Sequence, residues 1–97
     1  MNNIEETKNK LAEAKKILNR ELRKLNNISA EIESYEAIKN IMVDIENGNS
    51  LLSYYNEKIK QSYINMEDSI QNINHTRVII FNLENTINEF ERGEKSA

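Results

Sequence analysis

The side chains in this chain best suited to hold a metal ion are one histidine, His75, and sixteen carboxylates, with four tyrosines beside them; there is no cysteine. A zinc site needs several His or Cys ligands at fixed spacing, and a di-iron site in a helical bundle needs Glu-x-x-His pairs. With one His and no Glu-x-x-His, neither can be assembled. The absence of Cys also excludes a thiol nucleophile and any disulfide. The carboxylates alternate with Lys, as in EETKNK and EAKK. Such i, i+4 pairs are worth a few tenths of a kcal/mol on a helix surface and do not make a catalytic dyad. No glycine-rich loop is available to hold a phosphate. Tyr35, Tyr54, Tyr55 and Tyr63 fall at helical spacing and read as packing residues. His75 falls off the apolar stripe and reads as surface. The expectation is a protein that is not an enzyme and carries no metal or cofactor.

The elements that would position such residues are helices. The 97 residues contain no Pro and two Gly, and 30% are charged. A net charge of −3 lacks the basic face that nucleic acid or an anionic membrane surface requires. The start, MNNIEETKNK, has no apolar core of the kind a cleavable signal peptide carries. No stretch approaches the ~18 apolar residues of a membrane span.

Apolar residues recur every seven positions. In the first half these are Ile4, Leu11, Leu18, Leu25 and Ile32, with Ala14, Ile28, Tyr35 and Met42 three residues after members of the series. In the second half they are Leu52, Ile59, Met66, Ile73, Ile80 and Ile87, joined by Tyr55, Leu83 and Phe90. This is the a/d seam of helices that pack knobs into holes. Lys39 interrupts the first series, and the stripe is expected to slide to Ile38, Ile41, Met42 and Ile45. In the second series the d position is Ser62, Ser69 and Thr76, so Tyr63 and Ile70, one residue on, are expected to do the packing.

Between the seams lies Asn47-Gly48-Asn49-Ser50. Asn47 and Gly48 can take the left-handed conformation that ends a helix, and Asn49 or Ser50 can cap the next. A short connection makes the two helices antiparallel neighbours. The predicted fold is all-α: one domain over residues 1–97, an antiparallel two-helix hairpin with helix one over about 3–46, a turn at 47–49, helix two over about 50–92, and a polar tail 93–97 after Gly93. One unbroken coiled coil through Gly48 is the competing architecture.

Two helices cover only a narrow stripe on each other. Val78, Ile79, Ile80 and Phe81 are consecutive and point to all sides of a helix. In the hairpin they lie near Ile17, Leu18 and Leu22, while Ile38, Ile41, Met42, Val43 and Ile45 widen the stripe near the turn. Contiguous exposed apolar surface marks a partner site. Ile17, Leu22, Val78, Ile79 and Phe81 are therefore the candidate partner interface, and a partner or a second copy would complete a four-helix bundle.

A cysteine-free acidic hairpin of this length, broken once at its middle, resembles the small WXG-type substrates of type VII secretion. Gly48 takes the glycine position of their Trp-x-Gly turn, and Glu46 stands where the Trp would be. In this the chain is more similar to the divergent helical partners of LXG-type toxins, which often lack the Trp. Type VII substrates also carry an aromatic-x-x-x-acid export signal after helix two. FERGE supplies Phe90 and Glu94 at that spacing and place; YINME, from Tyr63 to Glu67, has the spacing but lies mid-helix. The resemblance implies a non-enzymatic protein that binds the helical N-terminal region of an LXG-type toxin and contributes an export signal. It also implies a protein that is cytoplasmic before export and secreted without a cleavable signal peptide. A structural homo-oligomeric coiled coil of phage or cytoskeletal type, and a cytoplasmic immunity or antitoxin-type inhibitor, would use the same apolar surface.

Overall fold

A computed structural model describes residues 3–43 and 49–96, all of them helical. α1 spans Asn3–Val43 and α2 spans Asn49–Ser96. Together they form an antiparallel helical hairpin. The expected turn residues Asn47 and Gly48, and the end of helix one beyond residue 43, lie outside the described residues. Glu5 and Glu6 occupy the first turn of α1, where the positive end of the helix dipole favours carboxylates.

The expected polar tail is corrected. α2 continues through Gly93 to Ser96, and the space around Gly93 is open. A single Gly costs a helix only about 1 kcal/mol relative to Ala, and no Pro follows to stop propagation.

The hairpin packs as two compact units, each built from a piece of both helices. The first comprises Met1–Leu22 with Gln71–Ala97. Its core is Ile4, Ala14, Ile73, Ile80 and Ile87, with Thr76 buried among them. The second comprises Arg23–Ile70. Its core is Ile28 and Ile32, with Ser62 and Ser69 buried, and Leu25, Tyr35, Tyr55, Ile59 and Met66 half-buried. Every one of these residues is at an a or d position of the heptads, so the seven-residue repeat places the core.

A second correction concerns d on α2. Ser62, Ser69 and Thr76 are themselves the seam, and Ser69 at 1% exposure is the most deeply buried of the large set of seam residues. Tyr63 is 50% and Ile70 42% exposed. The Thr76 hydroxyl donates back to the Asn72 carbonyl at 2.7 Å, within its own helix. Among the described residues no buried side-chain nitrogen or oxygen is left without a hydrogen bond. A buried hydroxyl that is satisfied in this way escapes the desolvation cost that would otherwise exclude it. Near the turn Ile38 and Met42 are half-buried, as the expected slide of the stripe requires, whereas Ile41 is exposed; Ile45 lies outside the described residues.

Candidate functional site

The seam leaves two flanks. In an antiparallel pair the g positions of both helices border one flank and the e positions the other. Lys10 and Ile17 are g residues of α1, and Ile79 is a g residue of α2. In the first unit they border a groove with a cavity of about 320 Å³. Ala14, Thr76 and Leu83 line it from the seam, and Glu13 stands beside Lys10 on the α1 side. The lining surface is mostly apolar, with Lys10 and Glu13 at its α1 side and the Thr76 hydroxyl already bound to its own helix. Lys10 also reaches Glu6 at 4.0 Å, a loose pair with both side chains mostly in water. Such a pair contributes at most a few tenths of a kcal/mol, so Lys10 is free to take another acid.

Of the five residues expected at the partner interface, the structure brings Ile17 and Ile79 together in this groove. Leu22 is at an e position and Phe81 at a b position, which places both on the opposite flank. Val78 is at f, directly away from the seam. Val78 is 59% exposed, Ile79 52% and Phe81 63%, whereas Ile80 in their midst is buried. The apolar run is therefore three separate exposed surfaces and one core residue. Lys10, Glu13, Ala14, Thr76 and Leu83 were not singled out from sequence as site residues. Their signal was available: with the heptad in phase, c, d and g on one helix border the same flank.

The second unit carries an aromatic cluster. The rings of Tyr35 and Tyr55 lie 6.0 Å apart across the hairpin, and Tyr54 meets Tyr55 edge to face at 5.2 Å. Lys58 sits 5.4 Å from the Tyr54 ring centre. Of the four tyrosines read as packing residues, Tyr35 and Tyr55 are half-buried, while Tyr54 and Tyr63 are exposed. The Tyr35 hydroxyl donates to Glu31 at 2.8 Å, and the Tyr63 hydroxyl donates across the hairpin to Glu36 at 3.3 Å.

Both phenols are held above their ordinary range. For Tyr63 the negative charge of Glu36 is the main cause and the hydrogen bond the second; for Tyr35 the hydrogen bond to Glu31 comes first. The fold thus favours the neutral phenol. The stabilisation is present below the ordinary phenol value near 10 and is lost as pH rises through the raised value. Ultraviolet titration should show Tyr35 and Tyr63 ionising late. Glu36→Gln should move Tyr63 back to the ordinary range, and an unchanged titration curve in that variant would show that Glu36 does not act on it.

His75 is exposed. Among the described residues no group of three His, Asp or Glu is placed to hold a metal ion, and no helix is long and apolar enough to cross a membrane. At the far end of α2, Phe90 is 44% exposed, and positions 90 and 94 lie one turn apart on continuous helix.

Compared with known proteins, the chain matches no family model, no curated protein and no solved structure. The functional reading therefore rests on the groove and on the residues at the end of α2.

Proposed function

We propose that this protein is a non-enzymatic interaction protein of type VII secretion, which binds the helical N-terminal region of an LXG-type toxin and contributes an export signal. The observation that carries the reading is the groove formed by Ile17, Ile79 and Leu83 beside the seam. A third helix laid along it would bury the half-exposed g residues of both helices. Such a helix needs apolar residues at i, i+3 or i+4 and i+7. Lys10 and Glu13 at the α1 edge offer it charges of both signs. The hairpin then acts as half of a helical bundle, and the toxin segment supplies what its own two helices cannot cover. The exposed Phe90 and the position of Glu94 one turn later support the export part.

Anchors in the middle of such an interface cost ~1–3 kcal/mol when truncated, or about five- to 150-fold in affinity. Ile79→Ser should weaken capture of the toxin's N-terminal region by that amount, measured by titration calorimetry. Val78→Ser, on the outward face, should change it less than about twofold, within the ±0.5 kcal/mol usual for surface substitutions. Equal effects of the two substitutions would count against the groove as the docking site. If Ile79→Ser abolished self-association and the toxin segment did not bind at all, the protein would belong with the structural coiled coils.

A further inference from the structure

We infer that the second unit carries a self-complementary face, through which two copies of this chain dimerise with α1 of one copy laid across α2 of the other. The face is built on a row of contacts that crosses the hairpin. Glu31 accepts the Tyr35 hydroxyl at 2.8 Å. The Tyr35 ring lies 6.0 Å from that of Tyr55, and Tyr55 meets Tyr54 at 5.2 Å. The Lys58 ammonium sits 5.4 Å from the Tyr54 ring centre. The row thus starts on a carboxylate of α1, passes over the tyrosine rings and ends on an ammonium of α2. Its heptad positions are c, d and g throughout, so it lies on one flank of this unit.

Beside the row, toward Val43 on α1 and Asn49 on α2, the same flank is apolar. Ile38 follows Tyr35 by three residues and Ile41 follows Ile38 by three; Leu51 stands three residues before Tyr54 and four before Tyr55. Residues so spaced are neighbours on a helix surface. Ile41 is 61%, Tyr54 53% and Leu51 48% exposed. Exposed aromatic side chains beside aliphatic ones have the composition of an interface core. Glu31 and Lys58 are exposed at its edge, and among the described residues neither forms a salt bridge.

The charges choose the occupant. A twofold interface brings the same face of both copies together and repeats every contact in reverse. When the twofold axis runs along the hairpin, the row of one copy meets the row of the other head to tail. Glu31 then faces the partner's Lys58, and Lys58 faces the partner's Glu31. An axis along the row sets Glu31 against Glu31 and Lys58 against Lys58. The face therefore supplies its own complement in one orientation and repels itself in the other. In the favoured one the copies lie with the same ends together. α1 of each is then antiparallel to α2 of the other, as neighbours are in an up-down four-helix bundle.

Sedimentation of the full chain tests this through two charge reversals. The unaltered chain should dimerise at micromolar concentration. Glu31→Lys sets two cations against each other at both ends of the row, and Lys58→Glu sets two carboxylates there. Each variant alone should dimerise about tenfold more weakly or worse, since like charges then face each other across the interface. An equimolar mixture of the two variants should recover dimers, because each meets the opposite sign in its partner. The double variant Glu31→Lys/Lys58→Glu should recover them too. A charge effect confined to one hairpin is not cured by mixing. High salt should shrink these differences. Glu31→Lys also removes the acceptor of the Tyr35 hydroxyl, so circular dichroism checks that each variant stays helical. If Glu31→Lys does not, Lys58→Glu against Lys60→Glu decides: Lys60 is exposed at a b position, and only the Lys58 reversal should weaken dimerisation. An unaltered chain that stays monomeric, single reversals that dimerise as well as it does, a mixture no better than its components, or equal effects at Lys58 and Lys60 would overturn the inference.

Discussion

Under the proposed function, Glu94→Ala is expected to stop export of the protein, and of any toxin bound to it, while leaving the hairpin folded. Position 94 lies in the last turn of α2, which runs to Ser96. The C-terminal end of a helix is the negative end of its dipole, where a carboxylate is disfavoured by about 0.3–1 kcal/mol. Replacing that acid by alanine, the best helix former, should therefore leave the helix as stable or slightly more so. Loss of export could not then be assigned to unfolding. Phe90, one turn earlier and half exposed, should behave alike: Phe90→Ala removes an aromatic that the core does not enclose. Glu91→Ala is the matched control, since it removes an exposed acid that lacks the four-residue spacing to Phe90. Immunoblots of culture supernatant against cell pellet read the outcome. The first two variants should stay in the pellet and the third should appear outside. Equal export of Glu94→Ala and the unaltered protein would remove the residue-level reason for placing the chain in type VII secretion.

The hairpin was readable from sequence because the repeat that forms it is carried by large aliphatic residues. Ile4, Ile28, Ile32, Ile73, Ile80 and Ile87 are all buried, and all stand on the two heptad series. Where the core is built from small hydroxyl residues, the same reading failed. Ser62, Ser69 and Thr76 look polar by composition, and Tyr63 and Ile70 look like the better knobs. Packing is decided by fit as well as by hydrophobicity. A serine whose hydroxyl is satisfied can occupy the axis of a close-packed pair, and a tyrosine there would push the helices apart. Gly93 misled in the same way. As a sequence signal it marks a helix end, but a helix already 44 residues long by then loses little by continuing through one Gly.

The candidate site was readable only by halves, for a geometric reason. Val78, Ile79 and Phe81 form one patch when written as a line, but each residue advances about 100° around a helix. Ile79 therefore reaches the flank that Ile17 borders, while Phe81 reaches the opposite flank and Val78 neither. Leu83 and Ala14 complete the groove from seam positions that a search for exposed residues passes over. A docking groove beside a coiled-coil seam is built partly from core residues, so exposure alone cannot find it.

That division between seam and flank should show most sharply in stability. Ile73→Ala is expected to destabilise the protein by about 2–5 kcal/mol, the usual cost of emptying a buried Ile site. Ile73 is 4% exposed, and a two-helix seam has no second layer of side chains that can collapse into the space. The whole stability of a small domain is about 5–15 kcal/mol, and a core this thin belongs at the low end. The variant should therefore be largely unfolded at temperatures where the unaltered protein is fully helical. Phe81→Ala removes a larger side chain, and area counted by residue type would rank it as the more damaging change. Yet Phe81 is 63% exposed, so most of its surface gains nothing from folding, and its replacement should cost less than about 1 kcal/mol. Alanine's better helix propensity recovers part of that. Thermal unfolding followed by far-ultraviolet circular dichroism separates the two, with a large fall in midpoint for Ile73→Ala and a small shift for Phe81→Ala. A Phe81→Ala protein that melts as early as Ile73→Ala would place Phe81 in the hairpin's own core, and the seam as described would be wrong.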